Sequence, residues 1–221
     1  MKILCISDQI DPLVYTNSIK ARFKDIDIIL SAGDLPMDYH DFIVSSLNKP
    51  LFFVFGNHNL EHYQFHCKGV EPYFTDENWS KMASGAVHLG SRIKWEKGLI
   101  IAGLGGSMHY NRGDNQFSDF AMYLECLKLI PAMLFNRIFR GRYLDILLTH
   151  APPKGIHDKA DKCHQGFKAF LWFMHIFKPR YLIHGHIHLY DLADIRVTRY
   201  ENTLVINAYS HFIVETEDNN G

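Results

Sequence analysis

The sequence predicts an α/β protein in which two sheets pack face to face and helices cover the outside. Three observations carry this. In the first half, short apolar runs alternate with stretches of helical spacing. In the second half, short strand-like runs follow one another over tight links. The composition, 47% hydrophobic and 21% charged over 221 residues, is that of a soluble globular chain able to bury a core.

Lys2–Ser7 (KILCIS) reads as the first strand, and a helical stretch follows around Asn17–Lys24. Ile26–Leu30 is the second strand and Leu51–Phe55 the third. Between them Tyr39–Leu47 has helical spacing and ends before Pro50, because the residue ahead of a proline is pushed out of the α region. Strands alternating with helices predict parallel β-α-β units with right-handed crossovers. Val87–Leu89, Arg92–Trp95 and Leu99–Leu104 follow as short strands. Leu144–Thr149 and Tyr181–His184 are buried-strand runs, with helical Gly166–Phe177 between them. Ile195–Tyr200 and Thr203–Asn207 form a hairpin turning at Glu201-Asn202, and His211–Glu215 is the last strand. With no repeat, linker or low-complexity tract, residues 1–221 are expected to form a single domain.

Two stretches do not fit a minimal sandwich. Asn59–Gly85 is polar and irregular. Phe117–Arg142 is a helical insertion, apolar nearly all round and ending in RIFRGR. It is expected to break at Pro131 and form a buried helix pair with a basic last turn. The alternative is a cap over the site, or a surface that meets lipid or a partner.

The net charge of −1 gives no basic footprint for nucleic acid and no acidic tail. The cysteines at 5, 67, 126 and 163 include no C-x-x-C pair, so they are expected to be reduced packing thiols of a cytoplasmic protein. MKILCIS reads as a strand rather than a signal or transit peptide. No apolar run approaches a membrane span.

Polar residues gather where strands end. ISD places Asp8 after the first strand, SAGD places Asp34 after the second, and FGNH places Asn57 and His58 after the third. LDILLTH ends in His150, and YLIHGHIH delivers His186 and His188. Ligands of open α/β sheets collect at the carboxyl ends of strands. An Asp or Asn after one strand is an ordinary turn residue, and one histidine is an ordinary core group. Five strand ends that converge on carboxylates, an amide and imidazoles point instead to a metal site. Gly33, Gly56 and Gly185 each directly precede a proposed ligand, where glycine permits a sharp or positive-φ turn. His184, still on its strand, is expected to face the interior or support the site.

The ordered set Asp8, Gly33-Asp34, Gly56-Asn57-His58, His150 and Gly185-His186-x-His188 resembles the calcineurin-like metallophosphoesterase family. The resemblance implies a four-layer α-β-β-α sandwich of two mixed sheets and a site for two divalent metal ions. It implies that Asp34 bridges the metals, that Asp8 and His188 hold the first, and that Asn57, His150 and His186 hold the second. His58 would stabilise the transition state or protonate the leaving group. The implied activity is metal-dependent hydrolysis of a small phosphoester, a phosphodiester ahead of a monoester, by in-line attack of an activated hydroxide. Mixed N/O donors suit Mn²⁺, Fe, Zn²⁺ or Co²⁺ better than Ca²⁺ or Mg²⁺ alone.

One position departs from the family. Its first motif is usually D-x-H, whereas SDQID puts Ile10 where the histidine belongs. The first metal site is therefore expected to be weak and completed by water, with Gln9 or Asp11 as alternatives. This keeps a second reading open, a non-catalytic binding module on the same fold. A Ser-His-Asp hydrolase is disfavoured because no G-x-S-x-G follows a strand. For the substrate, the glycine-rich stretch 103–115 offers His109, Asn111 and Arg112, and the rim stretch 149–159 offers His157 and Asp158. His164 and Asn207 are weaker candidates.

Overall fold

The computed structural model describes residues 1–60, 63, 85–191 and 193–216. The expected irregular stretch Asn59–Gly85 and Cys67 lie largely outside them. In chain order the first elements are β1 (Lys2–Ser7), α1 (Ile19–Arg22), β2 (Ile28–Ser31), α2 (Met37–Leu47), β3 (Leu51–Phe53) and β4 (Ala86–His88). Then come β5 (Arg92–Glu96), β6 (Leu99–Leu104), β7 (Ser107–Met108), β8 (Gln116–Phe117), α3 (Asp119–Arg140) and β9 (Ile146–Thr149). A 3₁₀ turn at Lys162–His164 precedes α4 (Lys168–Phe177), β10 (Tyr181–His184), β11 (Val197–Tyr200), β12 (Thr203–Asn207) and β13 (Ser210–Glu215).

One sheet has the order β13-β1-β2-β3-β4 and the other β11-β12-β10-β9-β6-β5, with β7 and β8 as a separate small pair. Both large sheets are mixed. The strands β1 to β4 run parallel, and β13 joins β1 antiparallel. In the second sheet β6, β9, β10 and β12 are parallel, flanked by antiparallel β5 and β11.

The period of two along each strand builds the layers. Ile3, Cys5, Ile28 and Leu30 of the first sheet meet Ile101, Ile146, Leu148 and Ile183 of the second in a shared core. On the outer face of the first sheet, Leu4, Ile6 and Ile29 pack with Ile19, Tyr39 and Ile43 of α1 and α2. On the outer face of the second, Ile100, Ala102 and Leu147 pack with Met122, Cys126, Phe170 and Phe173 of α3 and α4. The result is a four-layer α-β-β-α sandwich. Its central strands are apolar without alternation because both of their faces are covered.

The expectation for Phe117–Arg142 needs correcting. Pro131 does not break the helix: α3 is one helix of 22 residues, started by the Ser118 hydroxyl, which accepts from the Ala121 N–H, and closed by Gly141 in the left-handed conformation. Pro131 lies on the exposed side, where solvent can meet the carbonyl that a proline ring leaves without its N–H partner. Nor is this a buried pair. Met122, Cys126, Leu129 and Met133 are buried, while the opposite side is open.

Candidate metal centre

The parallel strands β1, β2, β3, β9 and β10 end at one edge of the sandwich, where the chain leaves them through Asp8, Asp34, Asn57, His150 and His186. His150 is fully buried there. Its Nε2 lies 3.2 Å from Asn57 Oδ1 and 3.4 Å from Asp34 Oδ2. Asp34, His150 and His186 each offer one donor atom, and the three atoms lie within 4.8 Å of one another.

Hydrogen bonds to carbonyls fix which imidazole nitrogen faces that centre. His150 Nδ1 donates to the Ala32 carbonyl at 2.8 Å, and His186 Nε2 donates to the Cys163 carbonyl at 2.5 Å. A carbonyl only accepts, so these nitrogens carry protons and leave His150 Nε2 and His186 Nδ1 as the available donors.

The charges at the centre favour a cation. Burial pushes the Asp8 carboxyl up, and the Asp34 carboxylate adds to this against the pull of His150. Burial also opposes the Asp34 charge, but His150 and the His58 N–H hold Asp34 down to about 2. In return, against the effect of burial, Asp34 and Asp8 raise His150 to about 9. His186 is lowered to about 3, first by burial and then by the charge of His150, which keeps it a neutral donor. Asp34 and Asp8 thus stabilise positive charge at His150; a divalent cation there would displace the Nε2 proton and take over that role, beside the neutral His186 imidazole and the Asn57 amide.

The backbone turns abruptly here, though not as the glycines alone foretell. Asp8, Asp34 and His186 themselves adopt positive φ of 63°, 58° and 67°. Such strain in non-glycine residues persists where the surrounding structure over-determines it. Gly33 also has positive φ, 104°. Gly56 and Gly185 do not, and they are required by close approach instead. A Cβ on Gly56 would lie 2.0 Å from Asp34 Oδ1, and one on Gly185 would lie 1.8 Å from Ser7 Oγ.

Asp8 is held by the Ser7 hydroxyl and by the His186 N–H, which donates to both its carboxylate oxygens. His188 stands at the exposed mouth, with Nε2 4.0 Å from Asp8 Oδ1 and its ring 4.9 Å from that of Tyr209. His58 is exposed as well, and its N–H donates to Asp34 Oδ1 at 2.8 Å. The calcineurin-like phosphoesterase profile matches residues 1–190, which include Asp8, Asp34, Asn57, His58, His150, His186 and His188.

The chain belongs to the calcineurin-like phosphoesterase family.

That family assignment supports a metal-dependent phosphoester hydrolase at the level of the family. A Caenorhabditis elegans protein described as UPF0046 protein K07C11.7 is 25% identical over 94% of this chain and 69% of its own length. Among solved structures, TT1561 of Thermus thermophilus superposes with a TM-score of 0.62 at 12% identity, covering 95% of this chain and 89% of its own. The structure titled GAP50, the anchor in the inner membrane complex of Plasmodium, gives 0.51 at 12% identity over 94% and 70%. These structures share the fold.

Around the departure from the family's first motif, Ile10 is exposed. Gln9 Oε1 accepts from the Tyr209 hydroxyl at 2.6 Å. Asp11 is engaged by the Ser210 hydroxyl, His211 Nδ1 and the Leu13 N–H.

The expected substrate residues are not all drawn to the site. His109, Asn111 and Arg112 are exposed, and the Asn111 side chain bonds within its own loop to Gly113 and Gln116. The same loop reaches the site through two residues that sequence reasoning passed over. The Tyr110 hydroxyl accepts from Asn57 Nδ2 at 3.1 Å, and Asn115 Nδ2 donates to the Phe55 and Gly56 carbonyls. The His157 ring lies between His184 Nε2 and Thr198 Oγ1, at 2.8 Å from each, and burial lowers its pKa to about 4. It also lines a cleft of about 540 Å³ beside His188. His184 is buried behind it, as expected. Asp158 binds the Gly155 and Gly166 N–H groups. Asn207 is buried and donates to the Ile187 carbonyl, holding the loop between His186 and His188. His164 sits on the 3₁₀ turn with its ring 5.5 Å from that of His186. Cys163 acts through its carbonyl, a role that no side-chain motif can announce.

Proposed function

We propose that the chain is a phosphodiesterase of this family, with its reaction centre at the five converging strand ends. The observation that supports it most is the pair of oriented imidazoles, His150 on Ala32 and His186 on Cys163, aimed at the space shared with Asp34. In this reading Asn57, His150, His186 and Asp34 hold one ion, and Asp34, Asp8 and His188 hold a second. Divalent ions such as Mn²⁺, Zn²⁺ or Co²⁺, or an iron ion, would supply Lewis acidity there, lowering the pKa of water and offsetting charge on the phosphoryl oxygens.

The chain's own residues do the rest. The Ser7 hydroxyl and the His186 N–H fix Asp8, and the His58 N–H fixes Asp34, so neither carboxylate turns to meet the substrate. The exposed His58 ring protonates the leaving oxygen or stabilises its charge. The cleft lined by His157 and His188 receives the substituent of the ester, while His109, Asn111 and Arg112 border the opening from the other loop. The preference for a diester carries over from the family resemblance. Residues 1–221 act as a single domain with α3 as its helical insertion. The free thiols of Cys5, Cys126 and Cys163 accord with a cytoplasmic setting.

A second reading, a binding module without turnover, is favoured by one observation: Gln9 and Asp11 are engaged elsewhere, so neither replaces the donor missing at Ile10. A screen of phosphodiesters, phosphomonoesters and nucleotides, with added Mn²⁺ and after chelation, separates the two. The enzyme reading requires turnover that Mn²⁺ supports and that Asp34→Asn abolishes. Metal uptake without hydrolysis of any ester would establish the binding module.

A further inference from the structure

The helix α3 presents a second apolar face that no element of the sandwich covers among the described residues. Opposite buried Met122, Cys126 and Met133, it exposes Phe120, Leu124 and Leu127 in its first half. Leu134, Phe135, Ile138 and Phe139 continue the face, with Ile138 75% and Phe139 69% exposed. A lone exposed leucine needs no explanation, but a continuous apolar face along a helix does.

Charge tells what this face fits. Between Glu125 and Asp145 every charged residue is basic: Lys128, Arg137, Arg140 and Arg142, in a chain whose net charge is −1. The arginines edge the apolar patch. The Arg140 guanidinium lies 5.2 Å from the ring centroid of exposed Trp95 on β5, and Arg137 lies 5.9 Å from that of Tyr143. Among the described residues neither Arg137 nor Arg140 meets a carboxylate. The rings of Phe135 and Phe139 pack against each other on the exposed face, tilted by 38° with centroids 4.3 Å apart.

We propose that this face docks α3, lying flat, onto an anionic phospholipid surface. Amphipathic aromatic and aliphatic side chains enter the interface while guanidinium groups remain at headgroup level. No described helix is long and apolar enough to cross a membrane, so the contact lies on the surface. A second copy of the chain fits less well. Pro131 would interrupt the seam, and the copy's acidic residues on α3 are already engaged, Asp119 by the Ala169 N–H and Glu125 by Ser91 and Lys128. The arginines would meet no counter-charge. Arg142 ties this end of α3 to Asp145 just ahead of β9, the sheet edge opposite the metal centre, so docking there leaves the centre uncovered.

The test is co-sedimentation of the full chain with vesicles of phosphatidylcholine alone or mixed with phosphatidylglycerol. Wild type should pellet with the mixed vesicles only, and added salt should release it. Phe139→Asp should weaken partitioning about tenfold or more. Arg140→Gln should weaken it about fivefold, the scale for one basic residue at an anionic surface. Both side chains are exposed, so melting should stay near wild type, Arg140→Gln losing its bond to Asn136 Oδ1 and its contact with Trp95, and Ile138→Glu repeats the apolar test if Phe139→Asp melts lower. Failure of folded wild type to bind mixed vesicles would overturn the proposal. So would equal binding to phosphatidylcholine alone, variants that bind as well as wild type, or a wild-type dimer that Phe139→Asp converts to monomer.

Discussion

The backbone N–H of His186 donates to both carboxylate oxygens of Asp8, at 3.0 and 2.9 Å. Asp8 follows β1 of one sheet and His186 lies just after β10 of the other, so this contact clasps the two sheets together at the candidate site. It requires the chain to pass Ser7 and Asp8 with no side chain at position 185.

Gly185→Ala tests that clasp. A Cβ there would stand 1.8 Å from Ser7 Oγ and 2.5 Å from Asp8 Oδ2, closer than any side chain tolerates. The loop must shift, taking His186 and His188 with it. The expected outcome is weaker metal binding by at least about tenfold, the scale seen when groups that orient ligands are disturbed, together with a lower melting temperature. Metal analysis and a thermal melt read the two effects. Unchanged metal affinity would show that the clasp does not position these residues.

His58→Ala separates chemistry from metal binding. The backbone N–H that holds Asp34 is kept, and only the exposed ring is lost. The expected fall in kcat is about 10²–10⁴-fold with bound metal unchanged. Loss of metal in this variant would move His58 into the coordination shell.

Much of the architecture was legible because strands and site share one signal. β6, β10 and β12 fall on the expected residues, since an unbroken apolar run bounded by polar residues has few alternatives. The polar residue closing each run then marks the site. What escaped depends on tertiary neighbours. Gly56 and Gly185 are demanded by side chains distant in sequence, whereas their local pattern pointed to a sharp or positive-φ turn. In α3 a proline in an apolar run looked like a break, and only the pairing of one face with Leu147 and Phe173 shows which side is open water. Tyr110 and Asn115 lie among the glycines and polar residues of 103–115, where nothing local distinguishes them from His109 or Arg112.

Acid sensitivity follows from His40. It is buried, its Nε2 lies 2.9 Å from Ser31 Oγ, its Nδ1 has no partner among the described residues, and burial lowers its pKa to about 4. The folded value is below the unfolded value of about 6.5, so the unfolded chain binds the proton first. This contribution is whole above about pH 6.5 and is lost as pH falls toward 4, at up to about 1.4 kcal/mol per pH unit. Half-buried His157 and buried His184, lowered to about 4 and 3, act in the same direction. His40→Leu should remove about one proton from the slope of unfolding free energy against pH, measured by denaturant melts. An unaltered slope would mean that the ring is not held neutral.

Ile10→His addresses the departure from the family's first motif. Gln9 is bonded to Tyr209, and Asp11 is fixed by Ser210 and His211, so among the described residues the first proposed site has Asp8, Asp34 and His188 as its protein donors. Wild type should therefore fill its two sites unequally in a calorimetric Mn²⁺ titration, the site of Asp34, Asn57, His150 and His186 first. An imidazole at position 10 stands two residues after Asp8, the spacing the family uses. Because the Ile10 side chain is exposed, replacing it removes little packing. The weaker site should tighten by about tenfold or more, since a direct donor contributes at least as much as the outer groups that merely orient one. Activity should then saturate at lower Mn²⁺. Melting, followed in parallel, reports any cost of leaving the second imidazole nitrogen without a partner. Two equal sites in wild type would mean that Gln9 or another residue already completes the first, and the water-completed site would be wrong.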